Sequence, residues 1–366
     1  MDHRVTGGAI RERDSSGSRD SSRGRVASML RPAGRLTNLT LFVALLLTFA
    51  TGVGAVATGS ARGRWVVIAH GVVAIAVILL IPWKSRVIRR GLRRHRLSRW
   101  ASLLLAALAL TTLVFGLGYT TGLVRSIGGI AGMWLHIAVA LALAPLVIWH
   151  VLVRRARPRR TDLSRRTLLR TGMLGAVAAG LYVASTSAVA LVGLPGARRR
   201  FTGSYETGSF DPPMMPTTIW LDDTTPTIDP DSWRLAIVDS QGPYELTLSD
   251  LRQFDVRRRA TLDCTSGWFA QQDWTGAPVS ALLRGVGDAR SLFVRSVTGY
   301  WVRFPVEDID HLMLATAVGG LPLSAGHGFP LRLMAPDRRG FWWVKWVDRI
   351  ELQSAPPWWQ PPFPVT

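Results

Sequence analysis

The sequence predicts a membrane-embedded all-α helical bundle of about five transmembrane helices, followed by an α+β domain with a mixed sheet. Five apolar stretches in the first half of the chain each have roughly the 20 residues that a helix needs to cross a bilayer. Basic residues cluster between these stretches, which is typical of membrane proteins. After about residue 200 the composition changes to short β-prone segments separated by turn residues, which favours a domain of mixed α and β structure.

The overall composition agrees with a membrane protein and argues against nucleic-acid binding. The 366 residues are 48% hydrophobic and carry a formal net charge of +20. A soluble protein this basic would suggest a nucleic-acid partner. Here the arginines lie between apolar stretches, and no basic groove motif or aromatic interleaving accompanies them. We therefore expect no nucleic acid among the partners.

The apolar stretches are expected to be helical, because inside a bilayer only helices and closed barrels satisfy the backbone hydrogen bonds. Residues 1–35 are rich in Arg, Ser, Gly and Asp and are predicted to form a disordered cytoplasmic tail. The predicted helices are 36–58, 65–83, 100–122, 130–153 and 171–194. The first four form a bundle at 36–153, residues 154–195 hold a basic linker and the fifth helix, and residues 196–366 form what we name the outer domain.

The distribution of basic residues predicts the orientation of the bundle. Residues 84–99 and 154–166 are strongly basic, whereas the segments near Ser60 and Arg125 carry few charges. The positive-inside rule therefore places the N-terminus in the cytoplasm of a bacterial-type cell and the outer domain outside the cell membrane. The basic segment 197–200 opposes this orientation, but the alternation over five helices outweighs it.

A short motif before the fifth helix supports the same orientation. Residues 164–170 read SRRTLLR and precede a helix rich in glycine and alanine, which resembles a twin-arginine export signal. That pathway exports folded domains, so it suits a domain that receives a cofactor in the cytoplasm. Ordinary positive-inside arginines are the alternative interpretation of Arg165 and Arg166. No small-residue cleavage site stands out before Arg198, so we expect the fifth helix to remain as an anchor.

Histidines within the predicted helices indicate a haem site, since polar groups at that depth are costly and usually functional. His70 is five positions into the second helix and His136 six positions into the fourth. Both helices are predicted to run from the outer side of the membrane to the cytoplasmic side, so the two imidazoles are expected at similar depth near the outer face. That arrangement suits one b-type haem with an axial histidine from each helix. The alternative is a pair of histidines that hydrogen-bond between helices without a cofactor.

His150 raises the question of a second haem. It follows His136 by fourteen residues on the same predicted helix. At about 100° and about 1.5 Å per residue, the two differ by about 40° in direction and about 21 Å in height, a spacing that resembles di-haem cytochrome b bundles. Only His95, in the basic loop before the third helix, could approach His150. We expect one haem and keep two as the alternative.

Cys264 is the single cysteine of the chain, so it cannot form an intramolecular disulfide. The β-prone residues 260–262 before it and Thr265-Ser266-Gly267 after it predict a strand followed by a sharp turn. The sulfur is then expected at a strand end. A buried cysteine that acts as a small hydrophobe is the alternative.

Two motifs carry a resemblance to a known superfamily. The segment around Cys264, CTSGW followed by WTGAP, resembles the metal-binding cysteine motif of the sulfite oxidase and periplasmic methionine-sulfoxide reductase superfamily. The segment HGFPLRLMAPDRRGFWWVKWVDRIEL, residues 327–352, resembles its pterin-binding segment. The resemblance implies that the outer domain has the sulfite oxidase fold and binds a molybdopterin cofactor.

The resemblance also implies roles for particular residues. Cys264 matches the cysteine whose thiolate ligates molybdenum, a role that suits a soft ligand. His327 and Arg332 match contacts to the pterin and its phosphate, which a planar guanidinium binds in a bidentate manner. The other matched positions are Trp343, Val344 and Lys345, with weaker matches at Thr202, Tyr205, Glu206 and Thr298.

The implied function is that of a membrane-anchored molybdopterin-dependent oxidoreductase. Sulfite-oxidising relatives carry an arginine shortly after the ligand cysteine, whereas Trp268 follows here, so reduction of a small or protein-bound S-oxide such as methionine sulfoxide ranks above sulfite oxidation. Arg338 and Arg339 remain candidates for an anion site. A quinone or another membrane carrier is the expected electron partner. In another class, the chain would be a haem-containing electron conduit or a membrane scaffold without turnover of its own.

Overall fold

The computed structural model describes residues 34–92, 98–153, 162, 164–219 and 224–360. The predicted tail up to residue 33, His95 and most of the second basic segment lie outside these residues. Within them, five long apolar helices are followed by a mixed-sheet α+β domain, which confirms the predicted order of structure along the chain.

Five described helices are long and apolar enough to cross a membrane. They are α1 (Gly34–Ala57), α2 (Arg64–Leu92), α3 (Ser98–Thr121), α4 (Gly132–Val153) and α5 (Arg165–Leu191). Helix α2 extends past its predicted end at 83 and α5 begins before its predicted start at 171. Both extensions run through arginine-rich sequence, because arginine favours a helix and does not stop one. Ser164 caps α5 by accepting a hydrogen bond from the backbone nitrogen of Thr167 at 3.3 Å.

The helices pack as two hairpins with α5 beside them. Helix α1 packs on α2, α3 packs on α4, and α5 packs on α2. Gly71 in α2 permits the close contact with α5, because a Cβ there would lie 2.4 Å from the ring of Tyr182. A two-stranded hairpin, β1 (Ser126–Ile127) with β2 (Ile130–Ala131), joins α3 to α4.

The described part of the outer domain contains two sheets. The six-stranded sheet consists of β3 (Tyr205–Glu206), β6 (Val256–Asp263), β7 (Trp268–Pro278), β10 (Met313–Val318), β11 (Leu321–Pro322) and β12 (Arg332–Met334). The five-stranded sheet has the order β5 (Gly242–Thr247), β4 (Arg234–Asp239), β13 (Val347–Gln353), β8 (Ser291–Ser296) and β9 (Trp301–Pro305). Each sheet is mixed, because β3 pairs parallel with β7 and β13 pairs parallel with β4. Short helices α6 (Leu248–Arg252) and α7 (Val279–Leu282) connect strands.

Both sheets contribute to one hydrophobic core. Leu235 and Ile237 alternate inward along β4, as the period of a strand requires, and both are fully buried. Trp274 of β7 is also fully buried, and its ring packs against that of Trp343 with centroids 5.4 Å apart. The packing of Trp343 therefore anchors the segment before β13 to the core. That segment faces Cys264.

The outer domain contacts the ends of α3 and α4. The Tyr119 hydroxyl in the last turn of α3 donates to the backbone carbonyl of Gly267 at 2.9 Å, and the Tyr205 hydroxyl donates to the carbonyl of Tyr119 at 2.5 Å. Gly196 approaches α3 so closely that a Cβ would lie 2.1 Å from the carbonyl oxygen of Thr120. The membrane helices and the outer domain thus share a packed interface beside the turn that follows β6.

Candidate active site

Cys264 directly follows β6, at the strand end that its neighbours in sequence predict. Its backbone N–H donates to the carbonyl of Trp268 at 2.9 Å, and the N–H of Gly267 donates to the carbonyl of Cys264 at 3.1 Å. Gly267 has a φ of 94°, a conformation that favours glycine. The side chain of Cys264 is buried, and its Sγ lies 3.1 Å from the hydroxyl oxygen of Ser266. A tight turn therefore fixes the position of the sulfur.

A buried ion pair supports this turn. The carboxylate of Asp263 accepts hydrogen bonds from Arg339 at 2.5 Å, from Ser204 at 2.6 Å and from Thr202 at 2.7 Å. Arg339 also donates to the carbonyl of Cys264 at 3.1 Å. Both side chains of the pair are almost completely inaccessible to water, with exposures of 3% and 2%. The pair ties the end of β6 to the segment before β13.

The structure places several predicted cofactor contacts away from the clefts at Cys264. Thr202 binds Asp263 beneath the turn, and Tyr205 binds the end of α3. Glu206 is exposed and accepts a hydrogen bond from the backbone of Ser209. These residues lie on β3 or just before it, and β3 pairs with β7 at Trp268 on the side that faces the membrane helices. They support the turn and the interface, and they do not line either cleft.

Arg338 and Arg339 likewise do not form an anion site in the clefts. Arg339 is occupied by Asp263, as described above. Arg338 forms an ion pair with Asp308, and its guanidinium lies over the ring of Trp342 at 5.2 Å from the centroid. Each arginine has a carboxylate partner, so neither charge is directed at the sulfur.

Two clefts meet at Cys264. The larger has a volume of about 610 Å³ and aromatic walls. Its aromatic members are Trp134, Tyr300, Phe341, Trp343 and Trp346, and the others include Thr218, Ile219, Ser296, Thr298, Val344 and Lys345. Lys345 is the one charged residue among the described lining residues, and its Nζ donates to the carbonyls of Gly326 at 2.6 Å and Thr218 at 2.8 Å. We name this the aromatic cleft.

The smaller cleft has a volume of about 310 Å³ and lies beside two cations. Its lining includes Cys264, Trp268, His327, Arg332, Gly340 and Lys345. Because Cys264, Gly340 and Lys345 border both clefts, the sulfur lies at their junction. We name this the basic cleft.

Burial determines the charge states in the basic cleft. Burial, and then the neighbouring charges of Arg332 and Lys345, lower the pKa of His327, so its imidazole is neutral near pH 7. The ring binds the carbonyl of Met215 at 3.0 Å and the hydroxyl of Ser324 at 2.8 Å. Burial lowers the pKa of Arg332 to about 10, which still leaves it charged near pH 7. The cleft is therefore positive, with a neutral imidazole beside a guanidinium.

The basic cleft fits an anionic group, and no described carboxylate provides one to Arg332. Arg332 is only 3% exposed, and no described carboxylate forms an ion pair with it. Its Nη1 donates to the carbonyl of His327 at 3.0 Å, but its buried Nε has no hydrogen-bond partner among the described residues. An unpaired buried guanidinium is costly, so an anion such as a phosphate would satisfy it.

The metal-binding capacity of the site depends on Cys264. The described residues contain no group of three or more His, Cys, Asp or Glu side chains that could hold a metal ion. A metal at Cys264 would therefore need further ligands from its own cofactor. Gly340 permits close approach to this position, since a Cβ there would lie 3.1 Å from the Cα of Cys264.

The predicted haem ligands His70 and His136 lie together between the two helical hairpins. Their ring centroids are 6.1 Å apart at an interplanar angle of 83°. Nδ1 of His70 lies 3.0 Å from the carbonyl of Thr48, and Nδ1 of His136 lies 2.9 Å from the carbonyl of Thr112. Each ring thus has one nitrogen bound to the backbone of the preceding helix. His150 lies fourteen residues further along α4.

The two hairpins are built alike, which the sequence reasoning did not detect. Each first helix carries the pattern T-x-x-x-G-x-G, at 48–54 in α1 and at 112–118 in α3. Each histidine packs on the first glycine of its pattern, because a Cβ at Gly52 or Gly116 would lie 3.1 Å from the ring of His70 or His136. This shared spacing is the signal that could have revealed the repeat.

A thiol, a neutral imidazole and two cations surround one junction, and this set of groups fits an anionic cofactor. Residues 222–359, less than half of the chain, match the family model described as oxidoreductase molybdopterin binding domain.

Two relatives and one solved structure illustrate the similarity. The mitochondrial sulfite oxidase of Rattus norvegicus is 27% identical over 166 residues, which cover 35% of this chain and 30% of the relative. The catalytic subunit MsrP of the protein-methionine-sulfoxide reductase of Pseudomonas syringae is 30% identical over 146 residues, which cover 34% of this chain and 41% of MsrP. The sulfane dehydrogenase SoxCD of Paracoccus pantotrophus is 27% identical over 36% of this chain and 40% of its own, with a TM-score of 0.34. The chain thus spans less than half of each of these proteins.

Proposed function

We propose that this chain is a membrane-anchored molybdopterin-dependent oxidoreductase that reduces a neutral S-oxide, such as free or protein-bound methionine sulfoxide. The observation that carries the proposal is the junction at Cys264, where a basic cleft meets an aromatic one in which Lys345 is the one charged residue among the described lining. The basic cleft suits the pterin and its phosphate, and the aromatic cleft suits a neutral substrate.

Residues of the basic cleft would hold the cofactor. Cys264 would supply a thiolate ligand to molybdenum, and the unpaired Nε of Arg332 would donate to the phosphate. His327, which is neutral because its pKa is lowered by burial, would orient the pterin by hydrogen bonds, and Lys345 would add positive charge between the clefts. When bound, the molybdenum of such a cofactor exchanges an oxygen atom with substrate in a two-electron reaction.

The aromatic cleft would receive the substrate. Among the described residues, those that line it include no arginine and no carboxylate, and the ammonium of Lys345 already donates to two carbonyls. A sulfite dianion would therefore lack a guanidinium partner, whereas the hydroxyl of Thr298 could donate to the oxygen of a neutral sulfoxide. Reduction of a sulfoxide takes up two electrons and two protons and releases a thioether and water. The name of the similar catalytic subunit MsrP supports this substrate class, and that of sulfite oxidase supports the alternative, sulfite oxidation.

The helical bundle would supply the electrons. We propose that His70 and His136 would hold one b-type haem, which would supply single-electron transfer from a quinone or another membrane carrier. The two ring centroids are 6.1 Å apart, a separation that leaves room for one metal ion between the imidazoles. The backbone hydrogen bonds at both Nδ1 atoms support the proposal, because they leave Nε2 of each ring for the metal. A second haem, held by His150, is the alternative.

The proposed location is the cell membrane, with the N-terminus in the cytoplasm and the outer domain on the opposite side. The five apolar helices and the basic segments 84–99 and 154–166 support this topology.

One experiment tests the assignment as a whole. The full chain is purified in detergent from a host that makes molybdopterin, and its molybdenum, its b-type spectrum and its turnover of methionine sulfoxide and of sulfite are measured. We expect molybdenum, haem and sulfoxide reduction, and we expect Cys264→Ser to lose turnover while the haem spectrum stays unchanged. Folded wild-type protein without molybdenum would overturn the enzymatic proposal. Turnover of sulfite alone would replace the proposed substrate, and haem without molybdenum would favour an electron conduit.

A further inference from the structure

One wall of the aromatic cleft comes from the membrane bundle. Trp134 lies in the first turn of α4 and is half-buried, and it lines the same cleft as Cys264. The other lining residues all belong to the outer domain, between residues 218 and 346. The cleft is therefore shared between two parts of the chain that are far apart in sequence.

The start of α4 is held against the turn that carries the cysteine. The backbone N–H of Gly132 donates to the carbonyl of Arg125 at 2.8 Å, which closes the β1–β2 hairpin. Met133 approaches the outer domain so closely that a Cβ at Gly203 would lie 2.9 Å from its methyl carbon, and one at Gly267 would lie 3.4 Å from its Cβ. The position of Trp134 relative to the cleft is thus fixed by contacts on both sides.

The chemistry of this wall points to the kind of substrate it would contact. Trp134 adds a large apolar surface to a cleft already bordered by Trp343, Trp346 and Phe341. A neutral S-oxide that carries an apolar substituent can bury that substituent on the indole while its polar oxygen faces the junction at Cys264. A small polar S-oxide has no group that reaches the wall.

We propose that Trp134 is a specificity-determining residue that binds the apolar substituent of an S-oxide substrate, so that the membrane bundle completes the substrate site. The inference rests on the proposed function, since it takes the aromatic cleft as the place where substrate binds.

The test compares two sulfoxides in variants of the full chain in detergent. Trp134→Ala and Trp134→Phe are assayed with methyl phenyl sulfoxide and with dimethyl sulfoxide, with a reduced viologen dye as electron donor. Trp65→Ala is the matched control, because Trp65 lies in the first turn of α2 and is 72% exposed. Binding of methyl phenyl sulfone is measured by calorimetry as a readout that requires no turnover, and the b-type spectrum shows whether the nearby His136 is undisturbed.

We expect Trp134→Ala to raise KM for methyl phenyl sulfoxide by about tenfold, with a similar loss of sulfone affinity, as for the removal of one apolar wall. In the same variant, the kcat values and the KM for dimethyl sulfoxide should change by less than about twofold. Trp134→Phe should give a KM for methyl phenyl sulfoxide between those of the wild type and Trp134→Ala. Unchanged KM and sulfone affinity, or equal losses for both sulfoxides, would overturn the inference. If the wild type reduces neither sulfoxide, the proposed function fails, and the sulfone measurement still decides whether Trp134 lines a binding site.

Discussion

At the scale of single residues, the site depends on a charge pair beneath the sulfur. Asp263 immediately precedes Cys264 in the chain, and its carboxylate accepts hydrogen bonds from two hydroxyls and one guanidinium. Because Arg339 also binds the carbonyl of Cys264, the pair fixes the backbone on both sides of the thiol. The position of the Cys264 sulfur therefore depends on two residues that do not reach the clefts.

Replacement of Asp263 by Asn should destabilise the protein strongly. The change leaves the guanidinium of Arg339 buried without its counter-charge, and the loss of one partner of a buried pair costs about 3–5 kcal/mol. Thermal unfolding of the detergent-solubilised protein, followed by tryptophan fluorescence, measures the effect.

Asp273→Asn is the control for this prediction. Asp273 binds Arg259 at 2.8 Å on an exposed part of the β6–β7 hairpin, so its removal should leave the unfolding temperature unchanged within error. Equal unfolding temperatures for both variants would show that the buried pair does not stabilise the turn.

The sequence predicts the residues at the junction better than the residues that support them. Cys264, His327, Arg332 and Lys345 belong to two motifs with a recognisable order, and the structure brings all four to the basic cleft. The partnership of Asp263 with Arg339 joins positions 76 residues apart and is visible only once β6 meets the segment before β13. The sequence shows that Arg339 is charged but does not show which carboxylate binds it. For this reason the sequence alone makes Arg339 a candidate for an anion site.

At the scale of secondary-structure elements, the two helical hairpins form one repeated unit. In each, a glycine on the first helix makes room for the imidazole on the second, and a carbonyl one turn earlier accepts a hydrogen bond from it. Hydropathy predicts the apolar cores of these helices, because burial in a bilayer needs about 20 apolar residues. It does not predict the repeat, since most positions between the shared Thr and Gly residues differ.

The glycines of the repeat should matter for haem binding. A Cβ at Gly116 would already lie 3.1 Å from two atoms of the His136 ring, so Gly116→Val should displace the imidazole. We expect haem affinity to fall by about 10–100-fold, as for other changes that misorient a metal ligand. Pyridine haemochrome content and the b-type spectrum after detergent purification measure the loss.

Gly180→Val provides the matched control for the repeat. Gly180 lies in α5, and a Cβ there would meet no atom within 4 Å, so the haem content should stay at the wild-type level. Full haem content in Gly116→Val would instead show that the contact of Gly116 with the His136 ring does not position a haem ligand.

At the scale of the whole molecule, the outer domain packs against the ends of α3 and α4. Tyr119, Tyr205 and Gly196 form this interface, and Trp134 extends it into the aromatic cleft. None of these contacts follows from local sequence, because each joins a membrane helix to a strand or turn of the outer domain. A domain that must bind its cofactor before it reaches this position would cross the membrane in a folded state.

The twin arginines before α5 provide the test of folded export. Arg165 and Arg166 lie in the exposed first turn of α5, directly after the capping residue Ser164. Their replacement by lysine keeps the positive charge, so the positive-inside rule predicts no change in topology. Recognition of an arginine pair as an export signal predicts that the outer domain stays in the cytoplasm. Protease accessibility of the outer domain in intact spheroplasts measures the fraction exported, which we expect to fall at least about tenfold.

Replacement of Arg198 and Arg199 distinguishes recognition of the arginine pair as an export signal from an effect of positive charge alone. Lysine at both positions makes the same chemical change near the other end of α5, outside the SRRTLLR motif, and should leave export unchanged. If both double variants export the outer domain as efficiently as the wild type, the arginines before α5 act only through their charge, and the domain folds after translocation. Molybdenum would then have to be inserted on the outer side, because a domain that crosses unfolded cannot carry a cofactor in the cleft where the buried Arg332 is proposed to hold it.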